Sequence, residues 1–234
     1  MSAIIRRELK AYFTSPIGYI FLVGFYIVAG VFFYLTNLAS AVADMSNLYG
    51  LLFTVTLVLL PLLTMRLMSE EKKLKTDQLL LTAPVSLGAQ VFAKFLAAFI
   101  MYLLALSVTL LYGIVLTAYT SPGWAMVIGN FTGLLLVGGA IISIGLFIST
   151  LTESQIVAAI GTYGVVIVVL LIDAVASIIS SAVVQKIIYS ISFYTRYIEF
   201  TQGLFNLEHV IFFISFFAVF MFLTVRLLEK RRWN

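Results

Sequence analysis

Residues 66–94 read RLMSEEKKLKTDQLLLTAPVSLGAQVFAK, and they interrupt a chain that is otherwise largely apolar. This segment contains five of the fourteen basic residues and three of the ten acidic residues. Its centre is a short leucine run, Leu79 to Leu81, which is followed by Pro84. A charged segment with an apolar centre, placed between membrane-spanning stretches, is typical of an element that docks on another protein.

Composition places the chain among membrane proteins. Its 234 residues are 62% hydrophobic and 10% charged, with a mean hydropathy of +1.13, whereas soluble domains contain about 25% charged residues. Cysteine is absent, which excludes disulfides and thiolate metal sites. The first apolar run begins at Ile17 and is too long for the core of a signal peptide. We therefore expect it to be retained as a membrane anchor.

Six segments are long and apolar enough to cross a membrane, since a spanning helix needs about 20 mostly apolar residues. They are residues 17–37, 50–68, 92–118, 125–150, 156–176 and 208–227. Pro61 lies inside the second segment, where it is expected to free a backbone carbonyl and to kink the helix. The predicted fold is an all-α polytopic membrane protein with one transmembrane domain over residues 1–234.

The basic residues predict the orientation of these spans. Three precede the first span, five lie between the second and the third, and four follow the last. Twelve of the fourteen therefore share one side, and only Lys186 and Arg196 lie on the other. Because cytoplasmic loops carry the excess of lysine and arginine, the twelve predict that both termini are cytoplasmic. An even number of spans agrees with this.

Residues 3–14 are predicted to form an amphipathic helix at the membrane interface. Its apolar face consists of Ile5, Leu9, Tyr12 and Phe13. Its cations are Arg6, Arg7 and Lys10. Such a helix lies flat on the bilayer, with its cations among anionic headgroups. A positively charged flank without this role is the alternative.

Residues 174–207 are predicted to form a helical hairpin outside the membrane, between the fifth and sixth spans. Apolar residues recur every four to five positions from Ile178 to Ile191, and polar residues fill the other face. Aromatic residues from Tyr194 to Phe200 indicate a second short interfacial helix. A seventh span is the alternative, and it would place the C-terminal basic cluster outside.

Glycines are concentrated in the fourth span, where residues 129–133 read GNFTG. Small residues at this spacing let two helices approach closely inside a membrane. Packing within the chain and packing between two copies both explain them.

No catalytic motif is present in the sequence. It lacks G-x-x-x-x-G-K-[ST], which would bind the phosphates of ATP, and His209 is its only histidine. No catalytic, cofactor-binding or metal-ligating residue is therefore predicted. No ionisable residue lies near the middle of a predicted span, as ion-coupled transport would require. We expect the energy source to lie outside this chain.

Together these features resemble the ABC-2 class of ATP-binding-cassette permeases. The most specific match is an acidic residue followed by L-L-x-x-P-x-S, which here runs from Glu70/Glu71 to Ser86. In that family the loop between spans two and three, here residues 69–90, carries the coupling helix that docks on the ATPase subunit. The coupling residues that the resemblance implies are Glu70, Glu71, Asp77, Leu79, Leu80, Leu81, Pro84, Val85 and Ser86.

Two further parts of the sequence bear on the resemblance. The N-terminal RRELKAYFTSPIGYIF is similar to the GldF-like, gliding-motility branch of the family. Residues 73–78, KLKTDQ, depart from the family pattern, in which Gly and Thr-Leu-Glu follow the charged run. The departure shifts the expected start of the coupling helix by a few residues.

The resemblance implies a permease subunit of an ATP-driven transporter in the bacterial inner membrane, which exports a lipid, a lipid-linked glycan or an amphiphilic peptide. The implied partners are ABC ATPase subunits with bound ATP and Mg, a second permease copy or a similar permease, and membrane lipids. No nucleic-acid partner and no cofactor in this chain are expected. A membrane scaffold that recruits a cytoplasmic protein is the alternative function. An ion channel is disfavoured because the spans lack a polar pore stripe.

The residues of the loop suggest a physical role beside that resemblance. The leucines of residues 79–81 are expected to fill a groove on the partner, and Ser86 is expected to cap the third span. Lys94 is expected to extend back toward the cytoplasm, and Lys72 and Lys73 are expected on a solvated rim. A loop tucked under its own helices is the alternative.

Cysteine labelling tests the predicted orientation, because the chain contains no cysteine of its own. Asn47→Cys and Ser181→Cys are expected to react with an impermeant maleimide in intact cells. Asn234→Cys is expected to react only after the membrane has been permeabilised, since the C-terminus is predicted to be cytoplasmic. Labelling of Asn234→Cys in intact cells would contradict the orientation of the six spans.

Overall fold

A computed structural model describes residues 2–76, 86–179, 181–203 and 206–233. Within these ranges the chain forms ten α-helices and no β-strand. They are α1 (Ser2–Thr14), α2 (Pro16–Phe33), α3 (Ser46–Thr64), α4 (Ser69–Lys73), α5 (Leu87–Thr117), α6 (Trp124–Leu151), α7 (Gln155–Ile178), α8 (Ala182–Ile191), α9 (Phe193–Thr201) and α10 (Leu207–Trp233). Six of the helical segments are long and apolar enough to cross a membrane. The predicted all-α fold with six membrane-spanning helices is confirmed.

The structure differs from the predicted spans at several helix ends. Helix α2 continues into a five-residue π-helical turn, Tyr34–Leu38. Helix α3 begins before residue 50 and ends at Thr64, and a turn at residues 65–68 then leads to the short helix α4. Helix α5 begins at Leu87, because the side chain of Ser86 accepts a hydrogen bond from the amide of Ala89 at 3.3 Å. The predicted capping role of Ser86 is confirmed.

Helix α6 lies at the centre of the bundle and packs against α3, α5, α7, α9 and α10. Its glycines allow these helices to approach closely. A Cβ atom at Gly129 or Gly133 would overlap Phe200 of α9. A Cβ atom at Gly138 would likewise overlap Tyr102 of α5, and one at Gly145 would overlap Thr64 of α3. The glycines of the GNFTG sequence therefore serve packing within the chain.

Most side chains of the peripheral helices α2, α7 and α10 are at least partly exposed. The exposed residues are predominantly Ile, Val, Leu and Phe. Since a spanning helix satisfies its backbone hydrogen bonds internally, such apolar faces suit contact with lipid chains.

The two ends of the bundle differ in chemistry. The basic end, as we call it, carries α1, α4, the first turns of α5 and the connection between α6 and α7. The opposite end carries α8, α9 and the first turn of α10. There Arg196 of α9 pairs with Glu208 of α10 at 3.1 Å, and Thr195 donates to Asp173 of α7 at 2.8 Å. Helix α9 is thereby joined to two spans.

Candidate coupling site

The chain between α3 and α4 is fastened by side chains from three other helices. We call residues 63–68 the junction. The last carbonyls of a helix have no partner within it, and here other helices supply hydrogen bonds. The hydroxyl of Tyr12 in α1 donates to the carbonyl of Leu63 at 2.8 Å. The hydroxyl of Ser149 in α6 donates to the carbonyl of Met65 at 3.1 Å, and the ammonium of Lys94 in α5 donates to the carbonyl of Leu67 at 2.6 Å. The junction is therefore a fixed part of the bundle.

Four charged side chains meet beside the junction, and we call them the ion cluster: Arg7, Glu8, Glu71 and Lys94. The guanidinium of Arg7 lies 2.7 Å from Glu8 and 2.5 Å from Glu71. The ammonium of Lys94 lies 3.3 Å from Glu8 and 2.9 Å from Glu71. The cluster joins α1, α4 and α5, and its two cations balance its two carboxylates.

Lys94 is the most deeply buried member of the cluster, with 3% of its side chain exposed. A lysine ammonium has three N–H donors and no acceptor. Here Glu8, Glu71 and the carbonyl of Leu67 supply three acceptors within 3.3 Å. Lys94 was expected to extend back toward the cytoplasm. The structure shows that its ammonium group is satisfied by partners inside the protein at the basic end, and the cytoplasmic placement of that end stays a prediction.

The carboxylates also act on Arg7. Burial lowers the pKa of the Arg7 guanidinium, but the hydrogen bonds and charges of Glu8 and Glu71 outweigh it, so that the pKa is raised overall. Arg7 was expected to anchor the chain among headgroups. The structure pairs it with two carboxylates of the protein, while half of its side chain stays exposed, so its contact with headgroups stays a prediction. Arg6 and Lys10 are exposed on α1, and their headgroup contact stays a prediction.

Helix α4 is also attached to the last turn of α6. The hydroxyl of Ser149 accepts hydrogen bonds from the amides of Met68 and Ser69, both at 3.0 Å, at the start of α4. Lys72 is buried and donates to the carbonyl of Thr150, where a cation also suits the negative end of the α6 dipole. The prediction of a solvated rim is wrong for Lys72, because this carbonyl binds its ammonium group. Lys73 is exposed.

Arg66 links the junction to α1. Its guanidinium lies 3.0 Å from Glu70, donates to the hydroxyl of Ser15 at 2.5 Å, and lies over the ring of Tyr12 at 5.4 Å. Burial raises the pKa of the Tyr12 hydroxyl, and the charge of Arg66 opposes this only in part. Tyr12 therefore remains a neutral donor to the α3 carbonyl.

The structure brings together only part of the predicted coupling residues. Glu70 and Glu71 lie in α4 and have cationic partners, and Ser86 caps α5. The remaining predicted residues, Asp77, Leu79, Leu80, Leu81, Pro84 and Val85, lie outside the described residues. Within the described part of the chain, no group of three His, Asp or Glu residues could hold a metal ion.

Comparison with known families places this geometry in context. The family model described as ABC-2 type transporter matches residues 1–173. The chain belongs to this family. The matched part contains the whole ion cluster and the junction, whereas α8, α9 and α10 follow it. The search of curated proteins returned no match. The ABC-2 type transporter match supports a transmembrane permease component, and the GldF-like branch stays a prediction.

Sequence reasoning missed Glu8, Ser149 and the buried partners of Lys94, and it misjudged Lys72. Two signals could have pointed to the cluster. Glu8 is the only acidic residue in the basic N-terminal helix, and Lys94, two turns inside its helix, is the only charged residue there. A buried lysine requires a carboxylate or equivalent partner, and Glu8 and Glu71 were available.

Replacement of Lys94 tests the ion cluster. Lys94→Met keeps an unbranched apolar stem but removes the ammonium group, which leaves Glu8 and Glu71 with Arg7 as their only cation in the cluster. Removing one partner from a buried ion pair typically costs about 3–5 kcal/mol. We therefore expect a clearly lower Tm for the purified protein in detergent.

The matched control is Arg226→Ala, which removes an ion pair with Glu229 whose side chains are 63% and 40% exposed. Exposed pairs contribute about 0–1 kcal/mol, so we expect little change in Tm. Similar losses for Arg226→Ala and Lys94→Met would contradict a special role of the ion cluster.

Proposed function

We propose that this permease works as a homodimer or with a similar permease and is coupled to two separate ATPase subunits through residues 69–90. The observation that carries the proposal is the attachment of α4. This short helix leads directly into the predicted coupling helix, and it is joined to α1 and α5 by the ion cluster and to α6 by Ser149 and Lys72. ATP and Mg are bound by the partner and not by this chain.

These contacts suggest how movement of the loop reaches the spans. An ATPase that pushes on the coupling helix also pushes on α4. The Glu71 contacts would carry this displacement to α1 and α5, and the Lys72 contact would carry it to α6. Since α6 packs against five other helices, a shift of its last turn would change the packing of the whole bundle.

Membrane orientation is part of the same proposal. We place the basic end in the cytoplasm of a bacterial inner membrane, with both termini on that side. The unequal division of the fourteen basic residues between the two sides supports this. The exposed cations Arg6 and Lys10 on α1 would then face anionic headgroups.

The proposed cargo is an exported lipid, lipid-linked glycan or amphiphilic peptide. An apolar groove between α5, α6 and α10 supports an amphiphile. Its volume is about 430 Å³, and its walls include Phe95, Phe99 and Phe217. Thr132 also lines it, but its hydroxyl donates to the carbonyl of Ile128 at 2.7 Å. A groove of this kind can hold an acyl chain. The GldF-like branch, and with it gliding motility, rests on the N-terminal sequence alone.

Leu80→Asp tests the coupling. If the leucines of residues 79–81 fill a groove on the ATPase, this substitution places a carboxylate in a desolvated pocket. An unpaired charge there costs several kcal/mol. We expect normal abundance of the permease in the membrane, with the ATPase lost from pull-downs or retained without permease-dependent activity.

Lys73→Ala is the matched control, because Lys73 is exposed in the same segment and its loss should leave ATPase binding unchanged. Lys72→Ala is unsuitable, since it would break the contact with Thr150. Undiminished ATPase binding and transport in Leu80→Asp would refute the coupling role. A wild-type chain that retains no ATPase but captures another cytoplasmic protein would favour the scaffold function.

A further inference from the structure

A crevice lies at the opposite end of the bundle, between the first turns of α3 and one face of α9. Its volume is about 480 Å³, within the range of roughly 300–1,000 Å³ typical of small-ligand sites. Asn47 and Gly50 line it from α3, and Tyr194, Tyr197 and Thr201 line it from α9. The three α9 residues are spaced by three and four positions, so they share one face of the helix.

The floor of the crevice is rigid. The ring of Tyr197 stacks on Phe53 with centroids 5.0 Å apart and planes at 19°. Its hydroxyl lies 3.2 Å from both the carbonyl of Tyr49 and the side-chain oxygen of Asn130. Tyr194 packs with its edge against Phe53 at 5.5 Å. Two aromatic rings are therefore held in place before any ligand arrives, which lowers the ordering cost of binding.

Polar groups with spare hydrogen-bonding capacity surround these rings. Asn47 and Tyr194 are exposed, and neither side chain has a hydrogen bond to the described part of the chain. The hydroxyl of Thr201 donates to Ile198 O at 2.6 Å and keeps its acceptor lone pairs. These side chains offer both donors and acceptors to a ligand.

Charge distinguishes the ligands that this surface can recognise. None of the described residues that line the crevice carries a charge. A phosphate or carboxylate would therefore lose water without gaining a counter-ion. A sugar instead offers neutral hydroxyls to Asn47 and Tyr194 and a C–H face to an aromatic ring, whose face is negative.

One side of the crevice is apolar. Leu51 lines it one helical turn further along α3 than Asn47, and its side chain is 40% exposed. Ile198 of α9 also lines it and is 39% exposed. A polar mouth beside an apolar wall suits a headgroup that is attached to a hydrocarbon chain.

We infer that the crevice between α3 and α9 binds the neutral sugar headgroup of an amphiphile. As a site for transported cargo it rests on the proposed function, but sugar binding itself requires no ATPase. The α9 residues that form it lie outside the part of the chain that matches the ABC-2 family model.

Lipid binding to the purified full-length chain, in a detergent without sugar, tests this site. The probes are monoglucosyl diacylglycerol and phosphatidylglycerol with the same acyl chains, and native mass spectrometry counts the bound lipids. We expect the glucolipid to bind about tenfold more tightly than the anionic lipid, a difference of about 1.4 kcal/mol. Equal affinity for the two lipids, or a preference for the anionic lipid, would overturn the inference.

Variants of the crevice residues test where the glucolipid binds. A Cβ at Gly50 meets no atom within 4 Å, and Gly50 lines the crevice, so Gly50→Leu is expected to fill the crevice and to abolish the glucolipid preference. Tyr194→Ala removes a half-exposed ring and should have the same effect. Gly24→Leu is the matched control, since a Cβ there is equally unobstructed and Gly24 lies in α2. Retention of the preference in both crevice variants, or its loss in Gly24→Leu, would overturn the inference.

These outcomes are separable from those of the coupling experiment. Loss of ATPase binding in Leu80→Asp reports on residues 69–90 at the basic end. The glucolipid measurement uses no ATPase, so it can fail while the coupling role stands, and it can succeed while the coupling role fails.

Discussion

The buried ammonium group of Lys94 constrains the whole basic end of this protein. A charge in that position is tolerated only with full hydrogen bonding and nearby carboxylates. Glu8 of α1, Glu71 of α4 and the carbonyl of Leu67 meet the requirement together. Each comes from a different element, so satisfying one side chain fixes how α1, the junction and α4 lie against α5. Replacing a whole buried ion pair by apolar residues is often neutral for stability, so we interpret this cluster as a device that specifies one arrangement of the helices.

Helix α6 connects the basic end to the opposite end of the bundle. Its last turn holds α4 through Ser149 and Lys72, and its glycines near the other terminus hold α9 at close range. One central helix therefore contacts both the proposed coupling element and the helix that lines the crevice. Under the proposed function, an event at the ATPase changes a site elsewhere in the bundle, and α6 would supply a direct physical connection for it.

The spans could be predicted from sequence because the bilayer imposes a local rule: each crossing needs about 20 apolar residues that satisfy their own backbone. The cap at Ser86 was also predictable from local sequence, because its hydrogen bond joins residues only three positions apart. The partners of Lys94 and Lys72 were not predictable in this way. Glu8 and Lys94 are separated by 86 positions, and Lys72 and Thr150 by 78. Only helix packing brings such residues together. The assumption that the charged ends of both lysines are exposed was therefore wrong.

A double-mutant cycle between Glu71→Gln and Lys94→Met tests the central claim most directly. The free energy of unfolding is measured for the wild type, both single variants and the double variant. If the ion cluster acts as a unit, the two substitutions should be non-additive by about 1–3 kcal/mol, while the exposed Arg226–Glu229 pair should show additivity within about 0.5 kcal/mol. Additive effects of Glu71→Gln and Lys94→Met would contradict the account, because they would mean that the two residues do not stabilise the basic end through each other.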